Sequence, residues 1–245
     1  METAVLSDLT LILELIGTAA FALTGVIVAV KKELDVLGVL VLGMTTAVGG
    51  GVLRDVLLGR VPPVMFTSPV YAGVAAAVSI VCFLAFYFFP NSMLPLVKRH
   101  DPTINVLDAL GLGIFVVVGV RAAIGAGYGD NAFLSLFLGV MTGVGGGVLR
   151  DMLVGDIPTI LVRRIYAIAA AAGAALYYAL NRLGASETVA LLSGVGVTLT
   201  LRLLSMIFHW NLPRVRMPKE ERDEDASKQT EADCGRPKRK TDHGL

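Results

Sequence analysis

Residue types that carry catalysis are scarce in this chain. Its three histidines (His100, His209, His243) flank or follow the long apolar runs. Of its two cysteines, Cys82 lies in an apolar run and Cys234 in a polar tail. That separation gives neither a disulfide framework nor a metal site. No His-Glu-x-x-His or Gly-x-Ser-x-Gly occurs, and the glycine-rich stretches lack the Lys-Ser/Thr of a phosphate loop. An enzyme is therefore not expected, and neither is a cofactor. A net charge of +1 offers no strongly basic face for nucleic acid. Met1-Glu2-Thr3-Ala4 has no basic n-region, so the first apolar run is expected to stay as a span rather than be cleaved.

Apolar surface, by contrast, is abundant. Hydrophobic residues make up 55% of the chain and the mean hydropathy is +0.72, above the roughly 45–50% of soluble domains. Charge nearly vanishes from residues 9–30, 34–53, 68–89, 104–120, 131–149, 165–180 and 187–201. Counting flanks, each stretch approaches the roughly 20 residues that cross a bilayer as a helix. The expected fold is an all-α integral membrane protein with seven transmembrane helices. Lys31 and Lys32, Lys98 and Arg99, and Arg163 and Arg164 outweigh Arg60, Arg121 and Arg182 in the opposite loops. The positive-inside rule then puts the N-terminus outside and the C-terminus in the cytoplasm. Residues 210–245 hold nine Lys/Arg and eight Asp/Glu and are expected to form a disordered, solvated tail. Arg214, Arg216 and Lys219 lie close enough to the last span to reach anionic lipid heads.

One stretch occurs twice. Gly49-Gly50-Gly51-Val52-Leu53-Arg54-Asp55 returns as Gly145-Gly146-Gly147-Val148-Leu149-Arg150-Asp151, and 13 of 20 positions from Gly43 to Pro62 are identical at an offset of 96. Glu14, Gly17, Phe21 and Gly25 likewise stand opposite Asp108, Gly111, Phe115 and Gly119, and Tyr71-Ala72 opposite Tyr166-Ala167. Residues 9–90 and 104–182 are thus two three-helix repeats, and residues 187–209 form an unpartnered seventh helix. A three-helix unit repeated in tandem is inverted in its second copy.

Three successive glycines cost roughly 1 kcal/mol each relative to alanine in a helix interior. The expectation is a kink at Gly49–Gly51 and Gly145–Gly147 whose freed carbonyls line a wet pathway for partly dehydrated cations. The competing reading is close helix packing on small residues. Arg54 and Asp55, like Arg150 and Asp151, point about 100° apart on a helix, so partners on other helices are expected. Similar depth suggests Glu14–Arg54 and Asp108–Arg150, leaving Asp55 and Asp151 to face the pathway or cap backbone. Arg202 is read as a snorkelling side chain.

The paired Gly-Gly-Gly-Val-Leu-Arg-Asp stretches, each followed by Gly and then Pro, resemble the bacterial branch of the trimeric intracellular cation channel family, also labelled a glycine transporter domain family. The resemblance covers about residues 9–210, including His-Trp-Asn-Leu-Pro at 209–213. It implies a homotrimer in the cell membrane, with one pore per subunit lined by the second and fifth segments and conducting potassium and other monovalent cations. The lysine-containing lipid-contact motif of animal members is replaced here by Gly-Gly-Val-Leu-Arg-Asp, so phosphoinositide regulation is not carried over. A secondary transporter of a small solute such as glycine is the alternative function, and a structural membrane protein whose glycines only pack helices is the third.

Overall fold

The computed structural model describes residues 2–90, 101–162 and 165–208. The charged tail, the central loop with Lys98 and Arg99, and Arg163 and Arg164 lie outside the described residues. Helix α1 is Glu2–Lys31 and α2 is Val36–Leu57, followed by the short α3, Val64–Thr67, and by α4, Pro69–Phe88. The second set opens with α5, Asp101–Ala123, which widens into a π-helical turn over Ile124–Tyr128. Next come α6, Ala132–Leu153, the short α7, Thr159–Val162, and α8, Ile165–Arg182. Helix α9, Glu187–Ile207, closes the bundle.

Six of these helices are long and apolar enough to cross a membrane. The exception among the expected seven is α8, whose 18 alanine-rich residues end in Asn181 and Arg182. Its apolar content is too dilute to meet the same standard, although Tyr166, Ala170, Ala174 and Tyr177 are buried in the core.

Local signals set the helix ends. The Asp35 carboxylate accepts from the Gly38 N–H at 2.7 Å and caps α2, and Asn131 caps α6 through the Leu134 N–H at 3.0 Å. Both helices end on a glycine with positive φ, Gly59 at 69° and Gly155 at 72°. Arg60 and Asp156 then donate their N–H groups back to the Asp55 and Asp151 carbonyls. That closing turn needs a residue that tolerates the left-handed region, as glycine does.

Helices α1, α2, α5 and α6 form the centre of the bundle, with α4 against the first pair and α8 and α9 against the second. Close approach here rests on the absence of side chains. A Cβ on Gly25 would lie 2.8 Å from the Gly43 Cα, and one on Gly119 would lie 2.8 Å from the Gly139 Cα. Phe21 and Phe115 meet between α1 and α5 with ring centroids 5.3 Å apart.

Candidate functional site

The triple glycines do not break their helices. Helix α2 runs through Gly49–Gly51 and α6 through Gly145–Gly147 without interruption, so the expected kinks and freed carbonyls are corrected. The reason lies in the packing between the two helices. A Cβ on Gly50 would overlap the backbone oxygen of Thr142, and a Cβ on Gly146 would overlap that of Thr46. The helices therefore press backbone on backbone. Interhelical packing of that kind offsets the poor helix propensity of glycine.

Each glycine of a triad meets different surroundings. At Gly49 and Gly145 the nearest atoms include the flexible methyl ends of Leu149 and Leu53, at 2.6 and 3.0 Å from an added Cβ. Gly50 and Gly146 form the seam itself. Gly51 faces a cavity, with nothing nearer to an added Cβ than Arg54 Nη2 at 3.9 Å. Gly147, its counterpart, faces the Tyr166 hydroxyl at 3.5 Å and Asp108 Oδ1 at 3.7 Å. Substituting Gly50 or Gly146 by leucine would consequently disrupt folding itself, rather than conduction in an assembled protein.

The two Arg-Asp pairs correct a second expectation. Arg54 Nε and Nη2 donate to Asp55 Oδ1 at 2.9 and 2.8 Å, and Arg150 does the same to Asp151 at 2.9 and 2.8 Å. Adjacent positions diverge at Cβ, but the long arginine stem curls back to present two donors to one oxygen. The second oxygen of each carboxylate works elsewhere. Asp55 Oδ2 accepts from the Val64 N–H at 2.9 Å and Asp151 Oδ2 from the Thr159 N–H at 2.8 Å. Val64 and Thr159 are the first residues of α3 and α7, so each acid anchors the short helix that follows its span.

Glu14 is bound by the Tyr71 hydroxyl, and no Glu14–Arg54 ion pair forms among the described residues. Both residues nonetheless line one cavity of about 390 Å³. Thr18, Gly51, Asp55, Tyr71 and Arg121 contribute to its wall. Asp108 does meet Arg150, at 3.3 Å, and the Tyr166 hydroxyl and Asp108 Oδ1 stand together beside Gly147. Arg202 contradicts the snorkelling expectation. Its side chain is 1% exposed, with Nη2 3.8 Å from Asp108 Oδ2 and Cζ 4.5 Å above the centre of the Tyr166 ring. A guanidinium in that place is held by a carboxylate and an aromatic face instead of by the interface.

Each repeat thus holds one acid, one tyrosine and one Arg-Asp pair, but the two clusters differ in access. Arg150 also donates to Thr24 Oγ1 at 3.1 Å, whereas the residue opposite Thr24 in the repeat is Val118, on the wall of the first cavity. Asp108, Arg150 and Tyr166 are no more than 4% exposed. Tyr71 and Tyr166 were legible as a repeated Tyr-Ala at offset 95 without any role attached. Nothing in the linear pattern marked Thr24, or turned Arg202 inward.

Known proteins fit this geometry. The family model described as "Glycine transporter" matches residues 11–87 and 105–182, one stretch per repeat. The UPF0126 membrane protein of Vibrio cholerae is 37% identical over 222 residues, covering 89% of this chain and 87% of its own length. The inner membrane protein YadS of Escherichia coli is 40% identical over 208 residues, covering 82% and 93%. Among solved structures, a TRIC cation channel studied for its conductance shares 39% identity with a TM-score of 0.73, covering 84% of this chain and 97% of that one. The TRIC trimeric intracellular cation channel orthologue from Rhodobacter sphaeroides shares 34% with a TM-score of 0.73, covering 82% and 99%. These relatives are membrane proteins and channels, not enzymes. With both repeats matched and near full-length likeness on either side, the chain belongs to the bacterial TRIC family, the one whose sequence model is described as glycine transporter.

Proposed function

We propose that this chain is a multi-pass cation channel of the bacterial inner membrane, with one pathway in each subunit of a homotrimer. The single observation that carries the reading is a half-open cavity among apolar helices whose wall gathers Glu14, Arg54, Asp55, Tyr71 and Arg121. Glu14 and Tyr71 stand on its wall, at a depth where an acid is costly unless it serves a solute or ion. Gly51 opens on this cavity and its repeat counterpart Gly147 on the Asp108–Tyr166–Arg150 cluster, and the proposed route runs between them beside the α2–α6 seam. The route uses side chains and the bare glycine faces rather than unwound backbone, which replaces the kinked-helix form of the idea.

Two further features belong to the proposal. The reciprocal Gly50–Thr142 and Gly146–Thr46 contacts are what a two-fold axis between inverted repeats requires, and they support residues 9–90 and 104–182 as the halves. Helix α8 then serves as the sixth span and α9 as the seventh. The loop charges support an N-terminus outside and a C-terminus in the cytoplasm. Potassium and other monovalent cations are the expected permeant ions, and lipid is the expected neighbour of exposed side chains such as Val81, Phe133 and Leu192.

Bilayer recording of the purified protein tests this. Discrete unitary currents carried by potassium are expected. Saturable glycine uptake without such currents would make the protein a carrier and end the channel reading.

A further inference from the structure

The two clusters carry the same chemistry, yet one lines a cavity while the other, among the described residues, is buried. The first has Glu14, Tyr71 and Arg54 around free space beside Gly51. The second has Asp108, Tyr166 and Arg150 around the corresponding glycine, and there Arg202 joins them. Arg202 belongs to α9, which has no counterpart in the first repeat. Arg60 and Arg121 stand on the wall of the first cavity and leave it open, whereas the guanidinium that α9 brings sits within the second cluster.

We propose that Arg202 is a built-in plug: its guanidinium occupies the cation position at Asp108 and Tyr166, and the pathway conducts when α9 moves and withdraws it. A guanidinium beside a carboxylate oxygen and over an aromatic face takes up the interactions that a partly dehydrated monovalent cation would seek there. The position on α9 argues for a purpose. Arg202 lies five residues before the last residue of the helix, Ile207, close enough to an end for the stem to snorkel outward, yet it turns in. Burying a guanidinium is expensive unless its partners are well placed, and its withdrawal would leave Asp108 to a mobile ion.

The other end of α9 ties the plug to the open cavity. Glu187, its first residue, forms an ion pair with Arg121, which stands on the cavity wall. Arg121 and Asp108 both belong to α5. A shift of α9 along α5 therefore strains an ion pair at the cavity and one at the plug together. Between the two, α9 meets α5 with little side chain. A Cβ on Gly113 would lie 3.2 Å from the Val195 oxygen, and one on Gly194 would lie 2.8 Å from Val117 Cγ2. Such an interface has two ends that must release in concert, which is the arrangement of a two-state element.

The inference rests on the channel reading, and the test separates the two. Wild type and Arg202→Gln are recorded in bilayers, and their melting is compared in potassium and in choline chloride. Arg202→Gln is expected to raise the open fraction roughly tenfold. It should also gain potassium-dependent stabilisation of about 2–4 °C, absent from wild type and from Arg202→Gln combined with Asp108→Asn. An unchanged open fraction in a conducting protein, with no gain from potassium, would overturn the plug. A silent wild type would instead sink the channel reading, while the melting comparison still decides what occupies Asp108. If Arg202→Gln alone does not assemble, the double variant removes the exposed carboxylate charge as well. Its open fraction must then exceed that of wild type, and equality overturns the proposal.

Discussion

Replacing Gly50 by alanine separates a hinge from a seam. If the triple glycine were a break in α2, alanine would favour the helix by about 1 kcal/mol and stabilise the protein. In the structure the added methyl overlaps the Thr142 carbonyl oxygen, which is helix backbone and cannot rotate aside. Helices α2 and α6 must separate, and overpacking of that kind costs about 1–3 kcal/mol, occasionally more. Gly73 supplies the comparison. It lies in α4 with nothing within 4 Å of an added Cβ, so alanine there gains about 1 kcal/mol with no opposing clash. Because the propensity gain is common to both helices, the expected difference between the two variants is the overpacking cost of about 1–3 kcal/mol, or roughly 2–12 °C for a protein of this size. Heating detergent-solubilised protein at one fixed scan rate, followed by size exclusion, measures the midpoint of each variant. Gly51→Ala, facing the cavity, should melt within about 1 kcal/mol of wild type while narrowing the space beside it. Should Gly50→Ala melt as high as Gly73→Ala, the backbone-on-backbone seam is wrong and the hinge returns.

Removing the charge of Glu14 by Glu14→Gln should lower unitary potassium conductance roughly fivefold, since one carboxylate in a hydrated cavity contributes about 1 kcal/mol to a nearby cation; unaltered conductance would take Glu14 off the route. Coupling between Glu14→Gln and Tyr71→Phe, read from melting in a double-mutant cycle, should reach about 0.5–3 kcal/mol and exceed the coupling of Glu14 with Arg54. Asp151→Ala, which leaves Arg150 to Asp108 and Thr24 and removes the acceptor of the Thr159 N–H, should cost about 1–3 kcal/mol in thermal unfolding. Lys32→Ala breaks only the half-exposed pair with Asp156 at 2.6 Å, and less than about 1 kcal/mol should be lost.

The sequence alone determined the class of the protein, the positions of its long helices and the existence of two matched halves. These are one-dimensional properties. A bilayer demands a long uncharged run for each span, and an internal repeat is read by sliding the chain along itself. The acids at Glu14 and Asp108 and the tyrosines at Tyr71 and Tyr166 were legible for the same reason, as repeated positions within apolar runs. Only the tertiary structure decided what three adjacent glycines do, because seam, leucine contact and cavity wall depend on how α2 crosses α6 and not on composition. It also joined Arg54 to Asp55 and Arg150 to Asp151, since the reach of a long side chain overrides the direction of its Cβ. It turned Arg202 inward as well, where a carboxylate from α5 and a ring from α8 converge on a helix that has no copy to be compared with.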